Sequence, residues 1–177
     1  MMRRALLLLA LAGCATPPPA ADPAGPLLAA PLPPASLGRE LAQSELVAGD
    51  HGERSFTMRV ELEVAADRLV VVGLSLAGMA LFTIEQTAAG LSVDNSVGDR
   101  LPFDPAYMLS DLQLVHWPAG VVAQALAARG LRLEEQPGQR RVTDREGRPL
   151  VEIAYGDATT LRHLDHPYHL RIETIAR

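Results

Sequence analysis

The chain of 177 residues contains no lysine, one cysteine and few aromatic side chains: one tryptophan, three tyrosines and three phenylalanines. With Cys14 alone, no intramolecular disulfide can form, and that residue needs another explanation. Long apolar runs are also missing. The stretch from Ala5 to Ala12 falls well short of the roughly 20 apolar residues of a membrane-crossing helix. Positive charge is scarce, with sixteen arginines against twenty-one acidic residues and a formal net charge of −5. That balance argues against nucleic acid or an anionic membrane surface as the main partner. No paired-carboxylate, P-loop or dinucleotide-binding pattern occurs, and Asp94, Asp99 and Asp104 stand singly in turn-like contexts.

What is present begins at the amino terminus. Arg3 and Arg4 precede a short apolar run that ends in small residues before Cys14, the layout of a secretory signal removed in the mature chain. Leu11, Ala12, Gly13 and Cys14 resemble the lipobox of bacterial lipoproteins; the competing reading is an ordinary secreted protein with a stray cysteine. The resemblance implies a signal peptide over 1–13, a diacylglycerol thioether on Cys14 and acylation of the new amino terminus. Ala15, where an aspartate would signal inner-membrane retention, implies an outer-membrane address; a domain facing the periplasm is the expectation, though no residue selects that face over the exterior. Several acyl chains, at about 0.8 kcal/mol per buried methylene, make such an anchor stable.

Residues 14–36 read as a lipidated cysteine followed by a Pro/Ala-rich tether. ATPPPAADPAGPLLAAPLPPAS holds eight of the fourteen prolines and a single charge, Asp22, a composition suited to extended polyproline conformations. No repeated PxxP pattern with basic flanks marks it as a ligand for another domain. The folded part is expected over 37–177, enough chain for one domain with its own core.

Its dominant period is two. In SFTMRVELEVA, Phe56, Met58, Val60, Leu62 and Val64 share one strand face, with Thr57, Arg59, Glu61 and Glu63 on the other. LVVVGLSLAG follows, with Val70, Val72, Leu74 and Leu76 alternating with Leu69, Val71, Gly73 and Ser75; it predicts a strand covered on two sides. MALFTIEQT and GLSVDNS complete a first antiparallel meander. The period then becomes helical over about 104–130, with stripes of Met108, Leu112 and Val115, and of Val121, Val122, Ala125 and Leu126. Pro118 suits the first turn of the second helix and Gly130 its stop. Strands return in LRLEEQ, RRVTD, PLVEIAYG, TLRHLDH and YHLRIETIA, one hairpin turning on Glu146 and Gly147. The inventory predicts an α+β fold, an unclosed curved antiparallel sheet covered by one or two helices.

The lipobox, the proline-rich tether, the meander, DLQLVHWPAGVVAQAL, VEIAYG and the closing YHLRIETI together resemble an uncharacterised bacterial lipoprotein family. Its members are usually encoded among fatty-acid-like or aryl-polyene synthesis genes. More remotely, the architecture is similar to the LolA and LolB lipoprotein carriers, whose unclosed barrel with a helical lid holds acyl chains. The resemblance implies non-covalent burial of a lipid, an acyl or polyene chain, or a lipidated client. On this reading Val60, Leu62, Val72, Leu74, Phe82, Ile84, Met108, Leu112, Trp117 and Leu126 line the pocket or its lid; each suits plain core equally well. LolB delivers lipid with an exposed apolar loop residue, and Leu76 to Leu81, including Met79, is the tract here for such a role; two strands joined by a tight Ala77-Gly78 turn explain it as well. The alternative is a structural lipoprotein with a packed core that docks on an envelope complex, its partner protein unknown.

No enzyme activity, cofactor or metal is expected. GLSLAG approximates a GxSxG nucleophile elbow, but Ser75 is followed by more strand where that chemistry needs a helix. HLDHPYH offers His163, Asp165, His166 and His169 as ligands to zinc. On a strand His163 and Asp165 would share a face that His166 opposes, and Pro167 turns the chain, so a histidine-rich surface hairpin is the expectation. His116, beside Trp117, needs one hydrogen bond as a helix-end residue.

Overall fold

A computed structural model describes residues 25–176 of the chain. The signal segment, Cys14 and the first part of the tether lie outside the described residues. Alternating strands build one antiparallel sheet: β1 (Leu41–His51), β2 (Arg54–Val64), β3 (Arg68–Leu74), β4 (Ala80–Thr87) and β5 (Gly90–Asn95), then β6 (Arg132–Gln136), β7 (Gln139–Thr143), β8 (Pro149–Ala154), β9 (Thr159–His163) and β10 (Tyr168–Ala176). Between the meanders lie α1 (Pro105–His116) and α2 (Ala119–Ala127). The strand order is β5-β4-β3-β2-β1-β10-β9-β8-β7-β6, so β10 returns to pair with β1 and both outer edges stay open. The fold is the expected unclosed α+β sheet under a helical cover. Among the described residues no helix is long and apolar enough to cross a membrane.

Period-two alternation decides which side chains meet the helices. The inward set is Met58, Val60, Leu62 and Val64 on β2, Leu69 and Val71 on β3, Phe82 and Ile84 on β4, and Tyr168, Leu170 and Ile172 on β10, all buried. The central strand β1 is invisible as a simple apolar alternation, because its inward positions are Leu41, Glu45, Val47 and Gly49. Glu45 is fully buried, with Oε1 2.9 Å from His116 Nε2 and accepting from Gln43 Nε2 at 2.6 Å. A carboxylate at a core position is retained only with such partners.

Helix α1 starts at a side-chain cap, where Asp104 Oδ1 accepts from the Ala106 amide at 2.8 Å and Pro105 takes the first turn. Pro118 sits one position before α2, as its N-cap, and Gly130 adopts φ +73 just beyond the helix. The turn between β7 and β8 has Gly147 at φ +81, and Asp144 Oδ1 accepts from the amides of Glu146 and Arg148 at 3.0 and 2.8 Å.

Residues 108–115 of α1 are buried on every side, including Ser110, Asp111 and Gln113. A helix buried all round needs a second cover. It comes from the segment read as tether: packing begins well before Leu37, since Leu27, Leu28 and Leu32 are buried in the core. This strap, which ends in a 3-10 turn at Pro34–Leu37, crosses the outer side of α1. The Leu32 amide donates to Gln113 Oε1 at 2.8 Å and the Leu32 carbonyl accepts from Gln113 Nε2 at 3.0 Å. Trp117 Nε1 donates to Ser36 Oγ at 3.0 Å, and Arg129 donates to the Leu27 carbonyl at 3.2 Å. Proline-rich chain forms no ladder of its own, so helix side chains satisfy its backbone.

The far end of α1 is tied to the second meander. Arg140 Nη1, on β7, donates to the carbonyls of Leu114 and Trp117, both at 2.8 Å, and the Tyr155 hydroxyl donates to that of Val115 at 2.9 Å. A cation on the last carbonyls also complements the helix dipole.

Candidate functional site

The ten residues expected to line a pocket divide into two groups. Val60, Leu62, Phe82, Ile84, Met108, Leu112, Trp117 and Leu126 are all at most 1% exposed and belong to one contiguous cluster between sheet and helices. Val72 and Leu74 do not join them. They lie half-buried on the opposite face of β3, whose inward positions are taken by Leu69, Val71 and Gly73. Gly73 is small because the Phe82 ring lies over it; an added Cβ would come within 2.2 Å of Phe82 Cε1. Four surface grooves formed by the described residues are lined by none of the ten.

One of those grooves, of about 330 Å³, opens at the margin of the cover. Phe56, Met58, Leu81, Val97 and Leu101 supply apolar wall, with Arg54 and Arg100 beside them. Arg54 Nη2 donates to the Arg100 carbonyl at 2.7 Å, and Phe56 packs on Phe103 with ring centroids 4.8 Å apart. Met79 borders the same groove from the β3–β4 hairpin. The hairpin tip is held by Ser75, whose amide donates to the Met79 carbonyl at 2.8 Å and whose hydroxyl accepts from the Met79 amide at 3.1 Å, with Gly78 at φ +83. Ser75 therefore leads into a turn and then β4, not into a helix. At that tip Leu76 is 72% exposed and Met79 66%.

A second constellation sits under the β9–β10 turn. Strand β9 ends at His163, so the strand geometry expected for HLDHPYH stops there, and Leu164–Pro167 folds His166 back until its ring centroid is 4.7 Å from that of His163. His163 is 3% exposed, which replaces the expected surface hairpin with a buried imidazole. Its Nε2 lies 3.1 Å from Asp111 Oδ1. Its Nδ1 lies 3.4 Å from the Tyr107 hydroxyl, and that hydroxyl is 3.1 Å from His166 Nε2. His166 Nδ1 in turn lies 2.7 Å from Asp165 Oδ1. Tyr168 stacks on His166, and its buried hydroxyl faces the Asp111 carboxylate. His169 stands apart, exposed, with Nε2 3.0 Å from Asp50 Oδ2.

Burial is the main cause that raises the Tyr107 phenol above its ordinary range, and the negative charges of Asp111 and Asp165 add to it. Burial likewise pushes Tyr168 well up, with Asp111 second. Tyr107 and Asp111 escaped the sequence reading. Their four-residue spacing on α1 places them on one helix face, but their partners lie more than fifty residues away in the chain.

None of the curated proteins matches the chain. The family model described as "Protein of unknown function (DUF3261)" matches residues 42–176, from the second residue of β1 to the end of β10, and the chain belongs to that family.

Proposed function

We propose that this protein is an outer-membrane lipoprotein, anchored through acyl chains on Cys14 and facing the periplasm, that handles an acyl-chain amphiphile at the margin of its helical cover. The observation that carries this reading is the pairing of Leu76 and Met79, exposed at a hairpin tip, with the apolar groove beside them. Burying two such side chains against an acyl chain contributes about 1.5–3 kcal/mol each. Arg54 and Arg100 at the same groove suit an anionic head group. At about 330 Å³ the groove is near the lower end of ligand sites, roughly 300–1,000 Å³, and suits one end of a chain. The interior is a poorer host. The cover is held by the strap, by Arg140 and Tyr155, and by contacts of His116 with Glu45 and of Asp111 with His163, so opening it breaks several buried polar contacts together. In the LolB carriers an exposed apolar loop residue delivers lipid, and Leu76 is the residue here that suits this role. Free lipid, a polyene chain and the acyl group of a lipidated client all share the chemistry that this groove suits.

The filled core favours one further reading, a structural lipoprotein whose domain docks on an envelope complex. Lipid extraction of the purified full-length chain, with mass spectrometry, separates the two. Reproducible acyl cargo that falls at least about tenfold in the double variant Leu76→Ser, Met79→Ser supports lipid handling. No cargo, or cargo indifferent to both substitutions, leaves the docking role.

A further inference from the structure

We propose that Tyr107, His163 and His166 form a binding site for a divalent first-row transition ion such as Zn²⁺, with Asp111 and Asp165 orienting the two imidazoles from behind. A carboxylate only accepts, so the imidazole nitrogen facing Asp111, His163 Nε2 at 3.1 Å, and the one facing Asp165, His166 Nδ1 at 2.7 Å, carry the N–H groups. In the neutral rings, His163 Nδ1 and His166 Nε2 are then both lone pairs. Both point at one phenolic O–H, that of Tyr107, 3.4 and 3.1 Å away. One proton cannot satisfy two acceptors. A cation at this point takes both nitrogen lone pairs and the phenol oxygen at once.

The spacing fits. Metal bonds of about 2.0–2.1 Å at tetrahedral angles place neighbouring ligand atoms roughly 3.3–3.4 Å apart, close to the two separations seen here. The potential ligand atoms of His163, Asp165 and His166 also lie within 4.8 Å of one another, which leaves Asp165 within reach as a direct ligand in place of its role behind His166. An imidazole whose outer N–H is held by a carboxylate is the usual second layer of a histidine metal site, and both histidines have it. The local charge points the same way. Asp111 is 1% exposed, and its carboxylate faces His163 Nε2 and the Tyr168 hydroxyl, so it sets a negative charge directly behind the His163 imidazole. Imidazole nitrogen suits zinc and its neighbours in the first row better than calcium or magnesium, and a bound ion would offset the burial and carboxylate charge that hold the Tyr107 proton, releasing it to solvent as the phenol oxygen binds. Entry is open: the side chains of Asp165 and His166 are 22% and 21% exposed and border a surface groove of about 620 Å³ shared with Asp50, Gly52 and His169. A fourth ligand, a water or a client group, reaches the ion from that side. This inference is independent of the lipid reading.

The test uses the purified full-length chain, stripped with a chelator and titrated with Co²⁺ and with Zn²⁺. One equivalent of Co²⁺ should bind with the intense visible absorption of a tetrahedral site, be displaced by Zn²⁺, and raise the thermal midpoint. Since His166 lies near the surface, H166Q should fold, as checked by circular dichroism, and lose at least about a hundredfold in affinity. Y107F should lose at least tenfold, and Asp165→Asn about 10–100-fold through loss of orientation. His169→Gln should bind as the parent does. The proposal is overturned by the absence of stoichiometric binding at micromolar metal, by H166Q and Y107F that bind normally, or by loss of binding in His169→Gln, which would mark an adventitious surface histidine.

Discussion

Replacing Gln113 by leucine tests whether the strap is part of the fold. The side chain is fully buried and acts as a strand neighbour for a single residue, accepting from the Leu32 amide at 2.8 Å and donating to the Leu32 carbonyl at 3.0 Å. Leucine fills nearly the same space but leaves both backbone groups without partners. An unsatisfied buried group costs about 1–3 kcal/mol, and exposed neighbours at Ala29 and Ala30 admit some water, so the expected loss is about 2–4 kcal/mol. Urea unfolding measures it, as a lower midpoint at unchanged slope. Limited proteolysis provides the local readout, because a strap freed from α1 should be cut between residues 25 and 40 before the sheet is. A loss below about 0.5 kcal/mol, typical of an inconsequential surface change, with unaltered cleavage would refute the reasoning and return the segment to the status of a passive leash.

Gly73→Ala should destabilise by about 1–3 kcal/mol, since the new methyl meets the Phe82 ring at 2.2 Å; a melt unchanged within error would show that the ring moves aside freely. The Tyr155 phenol is raised above its ordinary value of 10.0, chiefly by burial, which Arg140 opposes and Glu135 reinforces. The unfolded chain therefore loses that proton first, and stability should fall as pH rises through about 10; Tyr155→Phe should flatten that part of a stability-against-pH curve. Arg140→Ala removes the donor shared by the carbonyls of Leu114 and Trp117 and should cost about 2–4 kcal/mol by chemical denaturation, whereas Arg140→Lys recovers only part of it. Cys14→Ser should leave an unprocessed precursor in cell fractions, and mature membrane-bound protein in that variant would remove the anchor.

Strand β2 was legible because Met58, Val60, Leu62 and Val64 alternate cleanly with charged residues, and a one-sided strand has one reading. Strand β3 was legible as a strand but not as a surface. Leu69 to Val72 are apolar without a break, and packing into the core shared with Phe82 and Ile84 of β4 selects the odd-numbered side. Strand β1 escaped because its inward positions include Glu45 and Gly49. The first depends on His116 and the second on the backbone of His169, neither of which local periodicity contains. The proline-rich segment was read by composition, which reports how stiff a chain is and not what it lies against; four leucines among the prolines were the signal. The histidine cluster was half visible. His163 and His166 are plain in the sequence, but strand geometry set them apart, and the turn that rejoins them is stabilised by Tyr107 and Asp111 of a helix far back in the chain.

Under the proposed acylation of Cys14, the strap limits how far the domain could stand from a bilayer. Had all residues to Leu37 been free, some twenty of them could span about 60 Å; with Pro26 fastened to Arg129, the reach is bounded by the chain before it, at most roughly 34 Å at about 3.1 Å per residue. Under the proposed acylation of Cys14, any pull along that shorter line arrives first on the helix, ahead of the strands. The mooring and the cover would thus bear load as one piece.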